Sequence, residues 1–399
     1  MTVAVDDKTA QQRLVEERLS TLLDQHDPSD TPLREFLGAQ FDLGLAWVAF
    51  PEGAGGLGVA PGLQRVVNEA LGERGPAMVA QRNIIGYGMG APTIVAHGTK
   101  EQIERFLRPM YTLDEIWCQL FSEPGAGSDL AGLATRAERD GDEWVVNGQK
   151  VWTTLAHVAK WGLLVARTDP DVPKHKGLTY FVVDMESPGV EVRPLRQITG
   201  EAEFNEVFLT DVRVPDANRI GAVGEGWRVA LTTLMNERVA IGGGTAPRGG
   251  GLVKMMLDAW RRCPDPNPAR RDELMRLWVE AEVLRLTNLR AAANREKGTP
   301  GPEGSVSKLA FAELNKKMTS FCMNLLGPEG MSYGSYEMRR PETASLFENP
   351  HKAFLRTRAN SIEGGTTEVM KNILGERVLG LPGEPRTDKD LPWSRVPRN

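Results

Sequence analysis

The sequence predicts an α+β multidomain fold in which a helical domain, a β-domain and a helical bundle follow one another. Three observations carry that prediction. Apolar residues recur at three- and four-residue steps over roughly the first hundred positions. They alternate with polar residues in short runs between Arg136 and Val214, then return to helical spacing, in longer stretches, after Gly226. A chain of 399 residues is also too long for one ordinary core, and at roughly 150 residues per domain it divides into two or three.

The first domain is placed at 1–112. Segments such as Ala10 to Leu23 and Leu63 to Glu73 carry the helical pattern, and Phe50 to Gly58 reads as a glycine-rich loop between helices. The β-domain is placed at 113–225. Arg136 to Trp152 reads as two strands around Asp140-Gly141-Asp142, with Asn147-Gly148 as a second turn. Further strands are expected at Trp161 to Arg167, Leu178 to Met185, Val190 to Leu195 and Val207 to Val214, six in all. The bundle is placed at 226–380, with amphipathic helices over Trp227–Ile241, Leu252–Arg262, Arg270–Lys297 and Ser305–Leu326. Long helices with short connections favour antiparallel packing. The stretch 381–399 is Pro-rich and charged, and reads as a loose tail.

Composition narrows the function. Hydrophobic residues make up 41% and charged residues 25%, as in soluble globular proteins, and the net charge of −5 gives no basis for nucleic-acid binding. No apolar run reaches the ~20 residues that span a bilayer, so no membrane association is expected. The beginning of the sequence has early acids and no apolar core of a secretory signal. Cys118, Cys263 and Cys322 form neither a CxxC pair nor a disulfide framework, which suits a reducing cytoplasm. The five histidines are dispersed and none shows the i, i+4 spacing of a helical metal pair, so no metal is expected.

Two segments carry chemistry. Gln119-Leu-Phe-Ser-Glu-Pro-Gly-Ala-Gly-Ser-Asp129 is glycine-rich, but a dinucleotide fingerprint needs a strand before it and a helix after it. A hairpin follows here, which leaves an ordinary turn as the plain alternative. Lys150-Val-Trp-Thr-Thr154 ends a strand with an indole and two hydroxyls. Such a tryptophan is commonly core, yet a flavin ring needs a flat apolar partner and small donors at its edge, and this cluster offers both.

Together the two segments resemble the central motifs of acyl-CoA dehydrogenases, a (T/S)EPxAGSD loop followed by a hairpin and a W-(I/T)-T strand. The resemblance extends along nearly the whole chain. It takes in the loop at Pro51, the strand end at Val214-Pro215, Gly224-Glu-Gly-Trp227 and Gly364-Gly-Thr-Thr-Glu-Val-Met-Lys-Asn-Ile-Leu-Gly375. It implies the acyl-CoA dehydrogenase fold and FAD as cofactor. Gln119, Phe121 and Ser122 match positions at the flavin edge and ribityl chain, and Ser128 matches the serine between the flavin diphosphate and substrate. Trp152, Thr153 and Thr154 match the group on the isoalloxazine, while Thr366 and Glu368 match positions that close over the flavin.

A weakly acidic α-proton calls for a carboxylate in a dry pocket. The family supplies its base either from a loop, as E-G-T, or from the first bundle helix, as E-R. Registering on Gly365-Thr366 puts Gly364 in the loop position and Glu363 where many members carry tyrosine. Glu237, in Asn236-Glu237-Arg238, matches the helical base and is favoured over Glu363. Asn236, Arg238, Gly364 and Ser128 are the expected substrate contacts. Two departures stand out. Trp260 to Arg271 lacks the family's R-x-x-F-G, whose arginine reaches a neighbour's FAD diphosphate, and Asn324 to Gly330 replaces a glutamine-containing flavin segment. Arg261, Arg262, Arg270 and Arg271 remain basic-turn residues rather than sites.

The resemblance therefore implies oxidation of an acyl-CoA thioester to a 2-enoyl-CoA. Glu237 takes the α-proton, and an electron-transferring flavoprotein is the acceptor. A homo- or hetero-tetramer is expected. Two alternatives stay open: a flavin oxidase or monooxygenase relative, and a subunit that completes a partner's FAD site in a mixed oligomer.

Overall fold

A computed structural model describes residues 2–72, 79–242, 247–296, 303–343, 349–385 and 388–397. The first domain contains α1 (Thr2–Gln25), α2 (Leu33–Asp42), α3 (Gln64–Gly72), α4 (Val79–Arg82), α5 (Ala91–His97) and α6 (Lys100–Tyr111). The start of α6 is written in its sequence: Thr99 accepts the Gln102 amide and the Gln102 side chain returns to the Thr99 N–H, a reciprocal cap. The same Gln102 side chain donates to the carbonyls of Ala217 and Arg219, tying this helix to the next domain.

The β-domain follows as β1 (Trp117–Leu120), β2 (Arg136–Asp140), β3 (Glu143–Thr154), β4 (Trp161–Arg167), β5 (Leu178–Asp184), β6 (Val190–Pro194), β7 (Phe204–Pro215) and β8 (Arg219–Ile220). They form one sheet in the order β6-β7-β3-β2-β4-β5-β8, with β1 parallel to β4. Sequence periodicity misses β1 and β8, which are too short to show an alternation. Gly141 has φ +66° and takes the hairpin turn between β2 and β3.

Asn147-Gly148 is not a turn. β3 runs straight through it with a bulge, because Asn147 is held by reciprocal bonds with Asp211 on β7. A Cβ on Gly148 would lie 2.3 Å from the Thr135 hydroxyl, so close packing is the reason for that glycine.

The bundle contains α7 (Gly226–Gly242), α8 (Leu252–Arg261), α9 (Pro268–Glu296), α10 (Glu303–Leu326), α11 (Pro350–Thr357) and α12 (Thr367–Arg377). One core joins α2, α5 and α6 to β4, β5 and the start of α7 through Phe41, Ile94, Phe106, Leu163, Tyr180 and Val229. A second core lies within the β-domain around Trp144, Leu164 and Phe181, and a third fills the bundle around Met256, Leu277 and Phe321.

Within the expected loose tail, the described stretch 388–396 is docked: the Trp393 amide donates to the Val172 carbonyl at 2.9 Å, and its ring faces Arg167, while 381–385 are exposed. An aromatic residue with a polar N–H gives that segment an apolar anchor, which composition alone does not reveal. Among the described residues no helix is long and apolar enough to cross a membrane.

Candidate active site

The loop Ser122–Asp129 is held from its near end by a buried ion pair. Lys150 is fully buried, and its Nζ donates to Glu123 at 2.8 Å and to the carbonyls of Phe121 and Val165 at 3.0 Å. Glu123 also accepts the amides of Ala134 and Thr135 at 2.6 and 2.9 Å. Every oxygen and N–H of this clamp thus has a partner, the condition under which buried charge is tolerated. Burial pushes the Glu123 carboxyl up, but Lys150 and the amide donors outweigh it and hold the group below the usual carboxylate range. Both residues stand inside the quoted motifs, yet neither was assigned a role from sequence. A lysine at a strand's inward position is the signal that could have flagged the clamp.

The clamp fixes what surrounds it. Phe121 is buried edge-on against Tyr180, and the Ser122 carbonyl accepts the Val151 amide at 2.9 Å. The pairing of β3 with β7 shifts register between Lys150 and Thr153, so Trp152 is thrown out of the strand. Trp152 has φ +60° and is 60% exposed, with Phe204 packed edge-on against it. A left-handed, exposed tryptophan is costly in conformation and gains little from burial, so it is not a core residue. Thr153 is buried with its hydroxyl unpartnered, and Thr154 pairs with Phe204.

Asn83, buried between helices, accepts the Trp117 amide at 2.9 Å and donates to the Met110 carbonyl, fixing β1 against α6. β1 then presents Gln119 toward α7, where its Nε2 donates to Glu237 Oε2 at 3.2 Å. Glu237 is half-buried. Asn236 turns back on its own helix to the Thr232 carbonyl at 2.9 Å, and the Arg238 side chain lies outside the described residues.

Glu363 has other work. It accepts Arg356 Nη1 at 2.9 Å and Asn360 Nδ2 at 2.7 Å, while Arg356 Nε reaches Glu203 at 3.2 Å. Arg356 therefore staples the start of β7, beside Trp152's neighbour Phe204, to the loop before α12. Burial raises the Glu203 carboxyl against the pull of Arg356. Lys308, also buried, donates to the carbonyls of Asn360 and Gly365. Gly364 and Gly365 have φ +62° and +94°, a turn that side chains resist. Thr366 caps α12 by accepting the Val369 amide, and Glu368 lies exposed on its first turn. Ser128 is exposed on the outer part of the 122–129 loop. Arg261 pairs with Asp258, and Arg270 with Asp265, so both are engaged locally.

Profiles for the N-terminal, middle and C-terminal domains of acyl-CoA dehydrogenases match residues 8–114, 118–212 and 224–379. The chain belongs to the acyl-CoA dehydrogenase family. Acyl-CoA dehydrogenase FadE34 of Mycobacterium tuberculosis is 43% identical over 330 residues, 82% of this chain but 43% of that protein, so the chain spans under half of its length. Acyl-CoA dehydrogenase IpdE1 of the same organism is 40% identical over 343 residues, 86% of each chain. Among solved structures, the ChsE4-ChsE5 complex from Mycobacterium tuberculosis aligns with a TM-score of 0.70 at 28% identity, covering 94% of this chain and 98% of that one. The Tcur3481-Tcur3483 steroid ACAD gives 0.72 at 25%, over 94% and 98%.

Acyl-CoA dehydrogenases are flavoprotein oxidoreductases, and the residues present fit a flavin. Gln119 Oε1 and the Thr153 hydroxyl are buried without a hydrogen-bond partner in the protein, an arrangement that costs free energy until a ligand relieves it. Between them on the chain stands the exposed indole of Trp152. A flat apolar face next in sequence to an unpaired hydroxyl suits a heteroaromatic ring with a polar edge.

Proposed function

We propose that the chain catalyses FAD-dependent α,β-dehydrogenation of an acyl-CoA thioester to the 2-enoyl-CoA, with Glu237 as the base. The observation that carries this reading is the Gln119–Glu237 contact, which sets a carboxylate of the first bundle helix against the strand leading into the 122–129 loop. Glu363, whose Oε1 accepts from both Arg356 and Asn360, is the weaker rival. Gln119, Phe121, Ser122, Ser128, Trp152, Thr153, Thr154, Thr366 and Glu368 would hold the flavin. Asn236, Arg238, Gly364 and Ser128 would meet the thioester.

In this reading Glu237 accepts the proton as the Cα–H bond breaks, and those electrons form the double bond while the β-hydrogen leaves as hydride. Bound FAD supplies the acceptor for that hydride. The Gly364 N–H, turned by its left-handed backbone, would donate to the thioester carbonyl and stabilise the developing negative charge. The β-domain and bundle together position these groups, so alignment and electrostatics are the protein's contribution.

A mixed oligomer is the form we favour. Met275, Val279, Val283, Leu286 and Leu289 recur at three- and four-residue steps along α9, each about half exposed, while Leu274, Leu277 and Ala291 fill its inner side. A helix apolar on both sides needs a second partner. The two-component names of these two structural neighbours favour a different acyl-CoA dehydrogenase chain in that place, and the steroid ACAD among them favours a bulky polycyclic acyl group. An electron-transferring flavoprotein as acceptor and a cytoplasmic setting, in keeping with three free cysteines, complete the reading.

Purified protein, alone and co-expressed with a second acyl-CoA dehydrogenase chain, should be yellow in at least one preparation and bleach anaerobically with one of a panel of acyl-CoAs. Absence of flavin in both would overturn the proposal. Stoichiometric peroxide from each turnover in air would favour an oxidase instead.

A further inference from the structure

The segment Asp388–Val396 is built onto the β-domain beside the outer end of the 122–129 loop. Its backbone is fixed by Trp393 N–H to the Val172 carbonyl at 2.9 Å and Ser394 N–H to the Pro170 carbonyl at 2.8 Å. The indole N–H of Trp393 donates to the Gly132 carbonyl at 3.1 Å, and its ring lies 4.2 Å from the guanidinium carbon of Arg167. Arg167 is 3% exposed and donates to the carbonyls of Ala131 and Leu133 at 2.7 and 3.1 Å. Three consecutive carbonyls just past Asp129 are therefore held by Trp393 and by the arginine beneath it. Asp129 itself is bound by Lys174 Nζ at 2.9 Å, and the same ammonium holds Asp388 at 2.6 Å.

The loop's two ends are secured differently. Its near end is clamped from inside the β-domain by Lys150 and Glu123. Its outer end, with Gly127, Ser128 and Asp129 all exposed, is braced through Lys174, Arg167 and Trp393. We propose that Asp388–Val396 is a strap that positions Ser128, and that Trp393, Arg167 and Lys174 are positioning residues for the diphosphate and thioester side of the site. This rests on the flavin-dependent reading above. The strap adds order at the exposed Gly127–Asp129, between the core residues Ala126 and Leu130, so it acts on ligand affinity and leaves the chemistry at Glu237 untouched.

The test uses the full-length protein, in whichever oligomer binds FAD, with Trp393→Ala, Trp393→Phe and Asp388→Asn. Amide hydrogen exchange of the apo-protein over residues 127–133 should speed on the order of tenfold in Trp393→Ala, the effect of releasing the indole N–H anchor on Gly132 together with the ring over Arg167. Exchange over 143–154 should stay unchanged. The FAD dissociation constant and the KM for the bleaching acyl-CoA should rise by a similar factor, with kcat within about twofold. Trp393→Phe keeps the aromatic face over Arg167 but not the N–H to Gly132, so it should recover only the part of the loss that comes from the ring.

Wild-type exchange and FAD affinity in Trp393→Ala, or a fall in kcat with KM unchanged, would overturn the strap. If Trp393→Ala loses protection throughout the chain, Asp388→Asn decides, since a wild-type outer loop in that variant refutes the Lys174 relay. A wild-type protein that binds no FAD would sink the flavin reading, and loop exchange would then judge the strap alone.

Discussion

Two carboxylates compete for the role of base, and the structure predicts that they separate cleanly on two measurements. Glu363→Gln keeps an amide oxygen for Asn360 but removes the charge facing Arg356, a guanidinium only 7% exposed. The loss of one charge-assisted bond is worth about 1.5–3 kcal/mol, with Glu203 left to hold the arginine. Glu237→Gln keeps an acceptor for Gln119 at a half-buried position, so its stability cost should stay below about 1 kcal/mol. For catalysis the ranking reverses. Removing a general base costs on the order of 10²–10⁴ in rate, so Glu237→Gln should bind flavin yet bleach that much more slowly. Glu363→Gln should bleach within about tenfold of wild type. Anaerobic stopped-flow bleaching and denaturant unfolding of the same preparations give both numbers. A Glu363→Gln protein that is stable but inert, beside an active Glu237→Gln, would refute the assignment and the register on Gly364.

Trp152→Phe should raise the FAD dissociation constant and shift the flavin spectrum while leaving apo-protein melting nearly unchanged, because the indole is 60% exposed; a lowered apo melting point with unaltered flavin would make it structural. Glu123→Gln strands a fully buried lysine and should cost about 3–5 kcal/mol at neutral pH. Its carboxyl is lowered in the folded state, so the stabilisation is complete above the unfolded value of roughly 4.3 and is lost as pH falls through the folded one. The gap between wild type and Glu123→Gln should therefore close in acid, and a gap independent of pH would show that charge is not its origin. Val283→Glu with Leu286→Lys should lower the oligomer mass in light scattering and leave the helical content intact; an unchanged mass would place the partner elsewhere.

The order helical, β, helical was legible because each stretch carries its own period, and the four long bundle helices begin and end close to where Pro and Gly breaks put them. Short elements were not. β1 has four residues and takes its place from Asn83 and the β4 edge, contacts that no local pattern encodes. Asn147-Gly148 carries hairpin chemistry yet sits inside a strand, because the bulge and Asp211 satisfy the same residues. At the site, the motif residues were visible as a string, but the groups that hold them were not. Glu203 and Arg356 are 153 positions apart, as are no neighbours a spacing argument can pair. Trp393 was hidden by the charged, Pro-rich stretch around it.

The buried Lys150–Glu123 clamp has a consequence for how such a protein acquires its cofactor. Its partners come from β3, β4 and the loop itself, so the near part of the loop is shaped when the β-domain folds, before any ligand arrives. Loading then involves little coupled folding there, and the entropic penalty of ordering that backbone is already met during folding. Newly made chains could thus be charged with flavin after assembly. Reconstitution of stripped protein should accordingly be a second-order event set by encounter, rather than a slow rearrangement independent of flavin concentration.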